Sequence, residues 1–365
     1  VSRVALVSPY ALSVFGGVQE QVLAMARTLQ SRGLEVLVVA PDSSDCDDHG
    51  TTVPIERFGR LLSIPANGSR APVTVSLAAS RAAQQCVERF APHVVHLHEP
   101  FAPVFGYQLL RTHQLPLVGT FHRAGGGPAY SLTRPVLMKL ARGIDCATAV
   151  STSATETILE GANVRATTVF NGFETDRFRE YARTSHAVPT VFFIGRLEAR
   201  KGARTVLEAA RLANQQGRGW RFVVAGDGPE AAQLRREFAE LSSVDFVGSV
   251  SDSDKRRLLR EADVLVAAST HGESFGLVLL EAMAAETPVV ASDIDGYREA
   301  AAGHATLFEP RNATSLVDAI TRALGADVTN IAGAREHAEA WSMNSLMDLY
   351  DEIYDRAIDR FASCQ

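Results

Sequence analysis

Glu273 and Glu281 stand eight positions apart on either side of an apolar run, in a segment that opens Glu273-Ser274-Phe275-Gly276-Leu277. Eight helical residues make about two turns and return to nearly the same face. With Glu273 in a loop and Glu281 on the helix, the first carboxylate could meet a reacting sugar or phosphate. The second could accept hydrogen bonds from ribose hydroxyls. A helix cap and a surface carboxylate are the ordinary alternative. Arg196 and Lys201 follow an apolar run, Thr190 to Ile194, and offer two cation geometries near one strand end, suited to neutralising a diphosphate leaving group. Taken singly, such a charged loop is more commonly solvated surface.

Gly16-Gly17 falls between a first strand and its helix, where small residues let backbone N–H groups approach an anion at the positive helix end. The pattern is not the Gly-x-Gly-x-x-Gly dinucleotide fingerprint, and tight geometry alone would account for it. Gly226, in Ala225-Gly226-Asp227-Gly228-Pro229, resembles a ligand-cradling turn between strand and helix and could equally be only a turn. His96, His98 and Glu99 follow one predicted strand and His122 another. Structural hydrogen bonding is their plainest reading, because no His-Glu-x-x-His helix, cysteine cluster or Asp-x-Asp pair points to a metal.

These residues need elements to hold them. Val4 to Val7, a glycine-bearing loop, Val18 to Arg32 at helical spacing and Leu34 to Val39 make a βαβ opening. The alternation continues through Ser76 to Arg89, Val94 to Leu97, Phe105 to Leu110, Leu117 to Thr120 and Ala147 to Val150. Its strands are short and apolar, as parallel strands covered by helices are. A polar joint at Ser185 to Pro189 precedes a second series with Phe222 to Ala225, Val244 to Val247, Val264 to Ala267 and Val289 to Ala291. The expectation is an α/β protein of two Rossmann-like domains, residues 1–187 and 188–345, and a closing amphipathic helix over 346–365 that packs back toward the first domain.

The 365-residue length suits two domains of about 100–200 residues each. With 36 Lys+Arg against 42 Asp+Glu, the net charge of -6 excludes nucleic-acid binding through bulk charge but leaves room for a local phosphate site. Four scattered cysteines fit a reducing cytosol and neither a disulfide scaffold nor a thiolate zinc site. Pro9 interrupts the opening too early for a secretory leader, and no stretch reaches the roughly 20 apolar residues of a membrane span. Leu61, Leu62 and Ile64 beside Arg57 and Arg60 read either as a buried anchor or as a surface that touches an anionic membrane.

Together, Gly16-Gly17, Arg196/Lys201 and Glu273/Glu281 resemble the donor-site set of the family-4 retaining glycosyltransferases with the GT-B fold, in which two Rossmann-like domains face a cleft. Within that family the bacterial phosphatidyl-myo-inositol mannosyltransferases are the most similar group. They are matched at Pro9-Tyr10, Gly16 to Gln19, His96 to Pro100, Thr120 to His122, Asn171-Gly172, Gly248 to Val250, Lys255 and Glu281 to Ala284.

The resemblance implies GDP-mannose as donor substrate, no tightly bound cofactor and no metal. Gly17, Arg196 and Lys201 would bind the diphosphate and Glu281 the ribose. Glu273, with Ser274, Phe275, Gly276 and Leu277 after it, would engage sugar or phosphate, and Gly226 would line the donor site. Val250, Asp252 and Lys255 would read guanine. His122 would contact the transferred sugar. Transfer would be front-side, with the donor phosphate helping to deprotonate the acceptor and the cations stabilising the leaving group. Tyr10, Gln19, Asn67, Arg70, Phe101, His122 and Arg123 would face a lipid or small-alcohol acceptor, Arg70 as a headgroup-phosphate cation. Phe101 replaces an amide of the inositol enzymes, and Arg123 to Gly127 replaces a more polar loop. The expected protein is a cytoplasmic mannosyltransferase, peripheral to the inner face of the membrane where its acceptor is a lipid. The alternatives are a UDP-sugar-dependent transferase with a small soluble acceptor and a non-catalytic sugar-nucleotide-binding protein.

Overall fold

The structure is a computed structural model that describes the chain except residues 14–16, 43–50, 67–68, 123–127, 185, 272–275, 326 and 365, and except the side chains of 63–66, 69–71 and 128–132. The chain divides into two compact units, Val1–Phe173 with Met343–Gln365, and Glu174–Ser342.

The first unit contains β1 (Arg3–Val7), β2 (Glu35–Pro41), β3 (Ile55–Phe58), a hairpin of β4 (Leu62–Ala66) and β5 (Ser69–Val73), then β6 (Val94–His98), β7 (Leu117–Phe121), β8 (Cys146–Ala149) and β9 (Thr167–Thr168). Among the described residues, all but the hairpin form one parallel sheet in the order β3-β2-β1-β6-β7-β8-β9. β6 and β7 are buried along their whole length, which is why their sequences are continuous apolar or hydrogen-bonded runs without polar alternation. Successive residues of β1 feed opposite faces. Val4 and Leu6 join a core with Val22, Met25 and Leu29 of the helix Gly17–Ser31, while Ala5 and Val7 join one with Val87, Phe105 and Phe121.

The last helix, Met343–Ser363, belongs to this first unit. Leu346, Met347, Tyr350, Ile353, Tyr354 and Ala357 recur at helical spacing and pack with Val4, Leu6 and Val118 on one face of the sheet.

The second unit is a parallel sheet of β10 (Thr190–Ile194), β11 (Arg221–Ala225), β12 (Val244–Gly248), β13 (Val264–Ala267), β14 (Val289–Ser292) and β15 (Thr306–Phe308), ordered β12-β11-β10-β13-β14-β15. Its core joins Val191 and Phe193 to Val206, Leu234, Leu316 and Ile320 of the covering helices.

The boundary falls at Phe173/Glu174, ahead of the polar joint that marked it in the sequence. The short 3-10 turn Thr175–Arg179 is held by the second unit's own side chains. Thr175 donates to Glu339 at 2.7 Å, Arg177 pairs with Asp252 at 3.3 Å, and Arg183 donates to the Glu286 carbonyl at 2.6 Å. The proline joint therefore introduces β10 rather than separating the units. The other end lies at Ser342, close to the expected 345.

Candidate active site

In each sheet the strand order reverses once, between β1 and β6 and between β10 and β13. Connections leave in opposite directions at such a point, so a crevice opens at the carboxyl ends of the two strands.

In the second unit this crevice is a cavity of about 230 Å³. Phe193 and Ile194 from the end of β10, Ala267 to Ser269 from the end of β13, Lys201, Gly276, Leu277 and Tyr297 line it. Lys201 gets there because β10 is followed by a tight 3-10 turn, Ala199–Lys201, ending at Gly202 with φ +74°. A Cβ on Gly202 would lie 1.9 Å from the Ala268 carbonyl oxygen, so only glycine lets the turn abut the β13 exit. Gly226 does the same on the other side. Its φ is +128°, and a Cβ would lie 1.9 Å from the Gly195 carbonyl oxygen, locking the β11 exit against the loop that carries Arg196. Arg196 remains 69% exposed, with Nε 3.3 Å from Glu198 Oε2, and is available to an anion. Tyr297 donates to Ser269 Oγ at 2.9 Å and closes the floor of the cavity.

The helix Leu277–Ala284 starts at the cavity. Its cap, Gly276 with φ +65°, has no side chain to offer a capping oxygen, and its carbonyl accepts from the Leu279 N–H at 2.9 Å. One turn on, Glu281 is 8% exposed and accepts from Lys255 Nζ at 2.7 Å. Lys255 comes from the helix Asp252–Glu261, capped by Ser251, and its ammonium lies 5.7 Å from the centre of the Phe178 ring. Asp252 is shared among Lys255 at 3.5 Å, Arg256 at 3.1 Å and Arg177 at 3.3 Å. The structure thus uses the Asp252 carboxylate to hold three cations, which leaves it less free for a base than its expected role requires. Val250 is half-buried in the loop before Ser251. Glu273, Ser274 and Phe275 lie outside the described residues, as do Gly16, Asn67, Arg123 and the side chain of Arg70.

In the first unit, Gly17 opens its helix and a Cβ there would meet nothing within 4 Å, so packing does not demand glycine. His98 ends β6 and His122 follows β7; His98 Nδ1 is 3.0 Å from His122 Nε2. The His122 backbone N–H donates to Glu99 Oε1. Burial drives the His122 imidazole down to about 4, so at neutral pH it offers hydrogen bonds and no charge. His96 is driven down to about 3 by burial and by His122. It bonds the Tyr354 hydroxyl at 2.9 Å and Thr120 at 2.6 Å. Tyr350 bonds Thr120 at 2.8 Å, so two tyrosines of the last helix anchor this network. The sequence pattern shows an amphipathic closing helix but not this network; the i, i+4 spacing of Tyr350 and Tyr354 opposite buried histidines is the signal that carries it.

Two expected acceptor contacts have other duties. Phe101 is 7% exposed and packs on Phe121 with ring centres 5.0 Å apart, so its side chain belongs to the core rather than to a ligand surface. Gln19 is buried and donates to the Ala11 carbonyl at 3.3 Å, shaping the loop after β1. Tyr10 is half-buried in that loop. Among the described residues no group of three His, Cys, Asp or Glu side chains could hold a metal ion, and no described helix is long and apolar enough to cross a membrane.

Residues 15–177 match the model of Glycosyltransferase Family 4 and residues 174–344 that of Glycosyl transferases group 1. Over 96% of its length the chain is 34% identical to a phosphatidyl-myo-inositol mannosyltransferase of Mycobacterium leprae, covering 97% of that protein. The chain belongs to the family-4 glycosyltransferases. The enzyme of the same name from Mycobacterium tuberculosis is 35% identical over 89% of this glycosyltransferase and 88% of the relative. A Mycobacterium tuberculosis glycogen synthase is 28% identical over 88% of this chain and 86% of its own. In shape, the glycosyltransferase matches one from Rickettsia africae with a TM-score of 0.70 at 19% identity, covering 98% of both chains. Its fold is GT-B.

Proposed function

We propose that this glycosyltransferase is a retaining mannosyltransferase that moves mannose from GDP-mannose to phosphatidyl-myo-inositol or a related alcohol. The observation that carries the reading is the 34% identity, over 96% of the chain, to an enzyme named for that acceptor and sugar. The cavity at the β10/β13 reversal supports it, because Lys201 and the N-terminal end of the helix Leu277–Ala284 offer positive charge to a diphosphate. In this reading Arg196 and Lys201 stabilise the departing nucleotide, Glu281 holds the ribose with Lys255 beside it, and His122 donates a hydrogen bond to the transferred sugar. Glu273 engages the sugar or phosphate, and the departing phosphate assists deprotonation of the acceptor hydroxyl. The enzyme works at the cytoplasmic face of a membrane, where a lipid acceptor lies.

A second reading, a glucosyl donor with a soluble acceptor, draws on the 28% identical glycogen synthase. A panel separates the two. GDP-mannose, UDP-glucose and UDP-N-acetylglucosamine are each incubated with phosphatidylinositol vesicles, free inositol and short glucans, and products are read by mass. Hexose transfer from GDP-mannose to the inositol lipid is expected. Turnover confined to UDP-sugars would reject the first reading.

A further inference from the structure

Three imidazoles meet at the ends of β6 and β7, and they are not equally satisfied. His96 engages both ring nitrogens, with Tyr354 and Thr120. His98 stacks on it, ring centres 4.5 Å apart and planes 17° from parallel, and is 2% exposed. Its Nδ1 faces His122 Nε2 at 3.0 Å, and its Nε2 is buried with no hydrogen-bond partner among the described residues.

Two neutral rings at that distance share one hydrogen, which leaves two arrangements. If His122 donated from Nε2, neutral His98 would carry its own hydrogen on Nε2, as a buried N–H with no acceptor. If His98 donates from Nδ1, its Nε2 is a bare lone pair. Orphaned buried N–H groups are the rarer omission, so the second arrangement is favoured.

We propose that His98 is a positioning residue whose Nδ1–H donates to His122 Nε2 and so fixes His122 as a neutral Nδ1–H donor to a hydroxyl of the transferred sugar. The sugar contact rests on the function proposed above; the tautomer does not. Burial supports neutrality, because it holds both rings well below the usual histidine range. The second ring matters because an imidazole free to carry its hydrogen on either nitrogen would present an acceptor to the hydroxyl part of the time.

The test begins with the wild-type enzyme labelled with 15N-histidine. Two-bond proton–nitrogen correlations should show His122 protonated at Nδ1; a hydrogen at Nε2 would overturn the proposal. Kinetics follow with His98→Phe, His98→Asn and His122→Ala. His98→Phe should lower kcat about tenfold with donor KM little changed, the loss of one oriented hydrogen bond. The asparagine amide can donate from near the Nδ1 position and should restore kcat to within about threefold. Equal losses in the Phe and Asn variants, or an unchanged His122 tautomer in His98→Phe, would reject the positioning role. Wild-type turnover by His122→Ala would reject the sugar contact, and the wild-type spectrum would still decide the tautomer.

Discussion

Lys255 Nζ lies 2.7 Å from Glu281 Oε1, joining the helix Asp252–Glu261 to the helix that begins at the second unit's cavity. The two side chains are only 20% and 10% exposed, so each screens the other from a largely dry surrounding. Glu281→Gln keeps the shape and removes the charge. GDP binding, measured by calorimetry, is expected to weaken about tenfold, which corresponds to about 1.4 kcal/mol. Lys255→Met instead strands the carboxylate. It should cost about 1–3 kcal/mol in urea unfolding as well as affinity.

Arg196 presents the opposite case. Its guanidinium is 69% exposed and, among the described residues, leans on Glu198 alone, so the described fold does not depend on it. Arg196→Ala should leave stability within about 0.5 kcal/mol while lowering kcat about 100-fold, because leaving-group charge develops in the transition state. Parallel thermal and steady-state measurements check both halves.

Acid should act through the buried imidazoles. His96 is driven down to about 3 and His122 to about 4, so between those values and pH 6.5 the unfolded chain binds protons that the folded chain refuses. Stability is therefore complete above pH 6.5 and falls as the pH drops. At pH 5 the His96 share is about 2 kcal/mol relative to pH 7. His96→Gln should flatten the pH dependence of urea midpoints by about that amount, and an unchanged slope would contradict this origin.

Gly202→Ala should be among the costliest single methyl additions. It combines φ +74° with a Cβ 1.9 Å from the Ala268 carbonyl oxygen. A loss of about 3 kcal/mol is expected, or a Tm lower by about 6–12 °C for a unit of this size.

Much of this architecture could be read from residues. Short apolar runs such as Val4 to Val7 and Phe222 to Ala225 are parallel strands because burial on both faces removes polar alternation, and they stand in the sheets as expected. Glu281 and Lys255 were singled out separately, and the structure brings them together across 26 positions. The failures have physical causes. Phe101 looked like a ligand contact, but an aromatic beside Phe121 gains more from burial than from a wet surface. The unit boundary was misplaced because a proline joint is a local signal, whereas Thr175 is held by Glu339, a contact between residues far apart in sequence. The His98/His122 pairing was illegible for the same reason, since the two residues meet only when β6 and β7 lie side by side.

The most direct measurement is the anomeric configuration of one product. The enzyme is incubated with GDP-mannose and phosphatidylinositol in anionic vesicles, and the headgroup product is read by mass and by the one-bond carbon–proton coupling at its sugar C1. A single added hexose with an α-linked mannose is the expected result. A β-linked product would contradict retention, and no transfer from GDP-mannose alongside turnover of UDP-glucose would contradict the donor and with it the proposed function.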